Sequence, residues 1–254
     1  MVAKSETSET KVKEIYKGAL TSADLAAKIK SALTEAGYVD EKTLLATSLC
    51  CDEVNRELDT QFTNIYGDNF SMGGLAGFAF GGITSFGAMA HHIPTGGDCV
   101  IVYGPHVGVD ADGVVGKINR RGREASGACC GSAVAALGYV TGVMSGECKA
   151  VMPDNFIDAQ QYWVGNELLQ HGQRLVDASD ANTELPLALF DSQDQLMHDI
   201  VAAASKETHG GKIALVGGIQ INTPAGTPDY FLPKNFEIIG SDGEKIDDLI
   251  STLA

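Results

Sequence analysis

The sequence predicts an α/β fold, with a mainly parallel central sheet flanked by helices and an N-terminal helical arm. Three observations carry that reading. Apolar runs such as CVIVYG and GKIALVGGIQINT are long enough and apolar enough for strands buried on both faces. Stretches with helical spacing of apolar residues alternate with these runs, the pattern of a sheet wound with crossover helices. The 254 residues are 44% hydrophobic and 20% charged, a globular composition of ample length to bury one core without disulfides.

Residues 1–20 form a polar N-terminal segment, frayed over its first 15 residues, and 21–254 read as one domain. SADLAAKIKSALTEAGY is an amphipathic helix with Ser22 as N-cap, Leu25, Ile29 and Leu33 on one face, and Gly37 as its stop. KTLLATSLCC is a strand, and DEVNRELDTQF a helix after it. Residues 67–97 are rich in glycine and nearly free of charge, which suits either a tight apolar lining or close helix packing. CVIVYGPHVGVD begins as a strand, GKINRRGREASG is a basic loop, and CCGSAVAALGYVTGVM is a helix of small residues. FIDAQQYWVGNELLQHGQRLVD and QDQLMHDIVAAASKE are helices, GKIALVGGIQINT and FEIIGSD strands, and EKIDDLISTLA a closing helix.

Charge excludes one class of function. Asp and Glu number 33 against 18 Lys and Arg, a net charge of −15, so no basic stripe for nucleic acid is expected. No run of 18 apolar residues predicts a membrane span. The N-terminus lacks the apolar stretch of a secretory signal. A soluble protein of a reducing compartment is expected, in the cytoplasm or in a plastid after loss of a presequence.

The six cysteines include two vicinal pairs, Cys50–Cys51 and Cys129–Cys130. Vicinal cysteines suit ordinary structural disulfides poorly, so metal or redox chemistry competes with burial as small hydrophobes. The first pair follows a strand, the second opens a helix, and His106 follows another strand. Ligands in open α/β sheets bind beyond the carboxyl ends of strands. Two thiolates and an imidazole would leave zinc a fourth, open position. Asp52 and Arg56 are four residues apart, a spacing that pairs them on a helix. A thiol-redox protein is a competing reading. The glycine-rich stretch has no GxxxxGKS, which removes a nucleotide-binding reading.

Four segments in order, LCCDEVNRELD, NFSMGGLAGFAFGGITSFGAMAHHIP, YGPHVGVD and GACCGSAVAAL, resemble the limiting-CO2-inducible protein B family over about residues 40 to 240. The resemblance implies a fold and site layout like β-carbonic anhydrases, a zinc cofactor, a homodimer, and reversible hydration of CO2 to bicarbonate. It implies Cys50, His106 and Cys130 as metal ligands, with Cys51 and Cys129 as substitutes. Asp52 and Arg56 would form a catalytic dyad. The Cys-x-Asp-x-Arg pattern of β-carbonic anhydrases is broken here, since position 54 is Val, so Arg121 and Arg123 are rivals for Arg56. Met72, Leu75, Phe78, Phe80 and Phe86 would line the CO2 pocket. His91 and His92 are candidate proton shuttles, because imidazole titrates near neutrality. The alternative is a catalytically inactive zinc-binding relative, acting as a subunit or inorganic-carbon sensor in a CO2-concentrating system.

Overall fold

The computed structural model describes residues 2–254. In chain order the elements are α1 (Val2–Ile15), β1 (Leu20–Thr21), α2 (Ser22–Glu35), β2 (Thr43–Ser48), α3 (Arg56–Tyr66), β3 (Asn69–Ser71), α4 (Gly82–Ala90), β4 (Asp98–Tyr103), β5 (His106–Gly108), β6 (Lys117–Ile118), β7 (Gly127–Ala128), α5 (Gly131–Ser145), α6 (Ala159–Leu169), α7 (Gly172–Asp177), α8 (Ala181–Ala204), β8 (Ile213–Asn222), β9 (Tyr230–Ile239) and β10 (Lys245–Asp248). The main sheet has the order β1-β9-β8-β4-β2-β3, with β5 on the far part of β8 and β10 on β9.

Strands β3, β2, β4, β5 and β8 are parallel wherever they pair with one another. β9 runs antiparallel to β8, and β1 and β10 antiparallel to β9. The centre is therefore mainly parallel, as the doubly apolar runs require, with one antiparallel side. Period-two alternation explains how those runs serve two layers. In β4, Cys99, Ile101 and Tyr103 join one apolar cluster, with Phe86, Val201 and Leu215. Val100 and Val102 join the other, with Leu25, Ile29 and Phe62. Helices α4 and α8 thus cover one face, and α2 and α3 the other.

Four local expectations are corrected. The N-terminal segment is not frayed: α1 buries Val12, Tyr16 directly after it is buried as well, and the Ser8 Oγ donates to the Val109 carbonyl at 2.9 Å. Met1 lies outside the described residues. The N-cap of α2 is Thr21, whose hydroxyl accepts from the Asp24 N–H at 3.1 Å, while Ser22 is buried and donates to the Asp229 carbonyl. The long helix expected over 156–177 is split into α6 and α7. Gly172 starts α7 close against α5, where a Cβ would meet the Met144 sulfur at 2.8 Å. The closing helix is instead strand β10 and a short 3-10 turn, Ile250–Leu253, because β9 offers an open edge with which β10 pairs.

Two features hold the sheet at the places that matter below. Gly104, directly after β4, has φ of +144°, and a Cβ there would lie 1.7 Å from the Gly218 carbonyl oxygen. Only glycine allows the chain to leave β4 against the backbone of β8. On the α8 side, His198 Nε2 pairs with Glu237 of β9, which also pairs with Lys245 at 2.9 Å. The hydrogen bond to Glu237 raises His198 from 6.5 to about 9, and the bond from His198 lowers Glu237 from 4.5 to about 2.

Gly104→Ala is expected to lower unfolding stability by about 3 kcal/mol or more in denaturant titrations, since both the backbone angle and the space are unsuited to a side chain. For His198 the raised folded pKa means its contribution is complete below the unfolded value of 6.5 and is lost as pH rises through about 9. His198→Gln should therefore destabilise the protein at pH 6, with the difference from wild type vanishing above pH 9. A difference that persisted at pH 10 would contradict the ion pair.

Candidate metal centre

The parallel strands deliver three side chains to one place. Cys50 stands two residues beyond the end of β2, His106 opens β5 just after the Gly104 crossing, and Cys130 is the N-cap residue of α5. All three are buried. Their ligand-capable atoms lie within 4.8 Å of one another. The sulfurs of Cys50 and Cys130 are 3.8 Å apart.

The polar partners of His106 orient its ring. Its Nδ1 lies 2.8 Å from the Asn222 Oδ1, at the end of β8. The Asn222 amide nitrogen donates to Asp229 Oδ2 and to the Val54 carbonyl, each at 3.0 Å, so its oxygen is the atom left to accept. That assigns the proton to Nδ1 and leaves a lone pair on Nε2. This buried Nε2 has no hydrogen-bond partner among the described residues. A buried ring nitrogen without a partner, facing two thiols, is what a histidine ligand oriented from behind looks like without its ion.

The electrostatics agree with a cation at that point. The bond to Cys130, and then burial, push the Cys50 thiol up to about 12. The same bond lowers Cys130, helped against burial by the Ala133 and Ser132 N–H groups at the start of α5. The contact between the two sulfurs thus favours the thiolate at Cys130 over that at Cys50. Burial works against protonation of His106, yet the Cys129 and Cys50 sulfurs draw its pKa upward. Thiolate and imidazole together suit zinc, and the donor set present fits it.

The vicinal pairs divide unequally. Cys51 is exposed and belongs to no such cluster, so it is not a substitute for Cys50. Cys129 is buried, with its sulfur 3.6 Å from His106 Nδ1 and 3.8 Å from Asn222 Oδ1. It forms a second compact group with Asp52 and His106. Its neighbours lie on the side of the ring that Asn222 already occupies, whereas Cys130 adjoins Cys50.

Asp52 is held by an arginine, but not by Arg56. The Arg120 guanidinium donates from Nη1 to Asp52 Oδ1 and from Nη2 to Oδ2, both at 2.8 Å, and also pairs with Glu53. Burial alone would raise the Asp52 carboxyl; the Arg120 fork outweighs it and holds the group well below the usual carboxylate range. Arg56 reaches only the backbone carbonyls of Cys50 and Asp52, at 3.5 and 3.4 Å, and Asp59. The i, i+4 pairing fails because no helix spans it. Asp52 caps a 3-10 turn over Glu53–Asn55, and α3 begins only at Arg56. Arg121 and Arg123 are exposed. The basic loop was a visible signal in an acidic chain, but which of its arginines turns inward depends on the β6–β7 hairpin.

The proposed pocket residues separate. Phe78 packs in one apolar cluster with Cys50, Cys130 and Ala76, and Leu75 and Phe80 pack against it. Met72 and Phe86 lie instead in the sheet core with Ile101 and Tyr103. His91 and His92 do not reach the centre. His91 lines a cavity with Gly97 and Asp98 at the amino edge of the parallel strands, while the cysteines stand at the carboxyl edge, and the His92 ring packs edge-on to Phe70 of β3. The six residues of β4 alone span about 20 Å, too far for direct proton transfer. Asn222 and Asp229 were not singled out from sequence; the only signal was a polar pair beyond an apolar strand.

Among known proteins, the family described as "Limiting CO2-inducible proteins B/C beta carbonic anhydrases" matches residues 19–240. The chain belongs to this family. A solved structure of PtLCIB4, a homolog of the limiting CO2-inducible protein LCIB, is 45% identical, with a TM-score of 0.89 over 95% of this chain and 99% of that one. A histidine-to-alanine mutant of the same protein gives 45% identity and a TM-score of 0.91, over 96% and 99% of the two chains. LCIB itself is 19% identical, with a TM-score of 0.69 over 92% and 96%, and shares the fold. Comparison with curated protein sequences finds no match. The limiting-CO2-inducible family therefore accounts for the mainly parallel sheet flanked by helices.

Arg120→Ala is expected to raise the pKa of Asp52, because burial persists when the fork is gone, and Arg56→Ala to leave it in place. Carboxyl-carbon NMR titration measures both. Equal shifts in the two variants would remove Arg120 from its assigned role.

Proposed function

We propose that this chain is a zinc-dependent carbonic anhydrase that interconverts CO2 and bicarbonate. The observation that carries the reading is the convergence of Cys50, Cys130 and the unpartnered His106 Nε2 in a buried site, with the Asp52–Arg120 pair next to it. Cys50, His106 and Cys130 would hold the ion. When bound, zinc supplies Lewis acidity and brings the pKa of water toward neutrality.

The chain's own residues do the rest. Asp52 stays ionised beside His106, since Arg120 takes both of its oxygens in plane. In that state it accepts a hydrogen bond from the reacting water and turns the water's lone pair toward CO2. Because Arg120 occupies the carboxylate, Asp52 is kept from competing as a ligand itself. Asn222 keeps the His106 ring in the tautomer that presents Nε2. Phe78 and Ala76, packed with the two cysteines, form an apolar wall suited to an uncharged substrate. A homodimer belongs to the same reading, and the nearly full exposure of Phe156 and Ile157, at 96% and 93%, supports a surface that a second copy covers.

Stopped-flow hydration of CO2, with zinc content measured on the same sample, tests the proposal. About one zinc per chain and acceleration over buffer are expected. Zinc without acceleration would instead favour the non-catalytic subunit or sensor. Cys50→Ser and Cys130→Ser should each lose zinc. Asp52→Asn should keep zinc and lower turnover by about 100-fold or more. Asn222→Ala should weaken zinc affinity by about 10- to 100-fold through the loosened His106 ring. Sedimentation should give a dimer mass, shifted toward monomer by Phe156→Ser combined with Ile157→Ser.

A further inference from the structure

The histidines that fail to reach the cysteine centre form a site of their own. His91 and His209 lie side by side, with ring centroids 5.8 Å apart and planes at 46°. They line a cavity of about 470 Å³ together with Thr95, Gly97, Asp98 and Thr208. The cavity lies at the amino edge of β4 and β8, the opposite edge from Cys50, His106 and Cys130.

Both imidazoles stand at helix ends. His91 is the C-cap of α4, and His209 is the C-cap of the 3-10 turn Ser205–Thr208 that extends α8. The carbonyl end of a helix carries partial negative charge and favours a cation. Two such ends converge here, and Asp98 adds a carboxylate to the wall, its Oδ1 accepting the Lys212 N–H at 2.7 Å. His209 reaches its place only by adopting φ of +52°, in the left-handed region. Histidine is one of the few side chains that visit this region with any frequency.

The ring separation is within about 1 Å of that needed for chelation. Two imidazoles on one ion, with metal–nitrogen distances of about 2.0–2.1 Å, place their ring centres about 5 Å apart. A small rotation of either exposed side chain closes the difference. His92 is turned away, its ring edge-on to Phe70 at 5.5 Å.

We propose that His91 and His209 form a second metal site, which takes an imidazole-preferring divalent transition ion such as Ni2+, Cu2+ or Zn2+, with water completing the coordination. The site joins the end of α4 to the α8–β8 junction. It is independent of the proposed CO2 hydration and of what fills the cysteine centre.

The test is calorimetric titration of Ni2+ into the full chain as purified, with zinc released into solution measured in parallel. His91→Gln and His209→Gln should each bind one nickel equivalent fewer than wild type, with folding checked by circular dichroism. His92→Gln should match wild type, and Cys50→Ser should retain the equivalent that the two histidine variants lose. Nickel should also raise the wild-type Tm and leave the Tm of both histidine variants unmoved. Equal nickel uptake by wild type and both variants would overturn the proposal. So would uptake accounted for wholly by released zinc, or loss of the equivalent in His92→Gln alone.

Discussion

Strands β4 and β8 approach so closely at Gly104 and Gly218 that a single added carbon would fall 1.7 Å from a carbonyl oxygen. The rest of the centre depends on that contact. β4 ends there, the chain crosses at Gly104, and two residues later His106 begins β5 against Gln220 of the same strand β8. His106 is thereby placed beside Asn222, two residues further along β8. A side chain at Gly104 would part the strands and separate the ring from the group that orients it.

Around that backbone contact the chain arranges charge in layers. The innermost layer is two sulfurs 3.8 Å apart next to a ring nitrogen without a hydrogen-bond partner among the described residues, a group able to hold a metal ion. The next layer is acidic and amide: Asp52 held by Arg120, and Asn222 held by Asp229. Burial lifts the Asp229 carboxyl to about 6, against the hydrogen bonds it accepts from Asn222 and Thr223. Arg120 comes from a loop between short strands β6 and β7, so the dyad ties an otherwise peripheral hairpin to the start of α3. An isolated exposed ion pair contributes little to stability. This one has both partners partly buried and bidentate geometry, and its consequence is the fixed direction of a carboxylate.

Much of this was legible in the sequence. Buried parallel strands announce themselves as unbroken apolar runs, and the cysteines and histidine that end those runs fall at the carboxyl edge, where such folds bind ligands. The family resemblance rested on the same segments, and the match over residues 19–240 bears it out. Other features were illegible for identifiable reasons. Arg56 looked right on a helical spacing that the 3-10 turn at Glu53–Asn55 interrupts. Met72 and Phe86 shared a segment with Phe78, but Met72 directly follows β3 and Phe86 lies on α4, both packed into the sheet core, whereas Phe78 follows the 3-10 turn between them. His91 and His92 were close in sequence to the apolar lining, but His91 stands at the amino edge of the sheet and His92 packs on Phe70 of β3.

By itself, the sequence determined the α/β class, the mainly parallel sheet, and the set of side chains from which a metal centre could be drawn. These are properties of local pattern: periodicity selects strand or helix, and residue type selects possible chemistry. The tertiary structure alone decided that Cys50 rather than Cys51 is buried beside His106, that Arg120 rather than Arg56 holds Asp52, that Asn222 backs His106, and that His91 meets His209. Each of those outcomes pairs groups distant along the chain, and their separation in space is set by strand register and crossing, which spacing in the sequence does not encode.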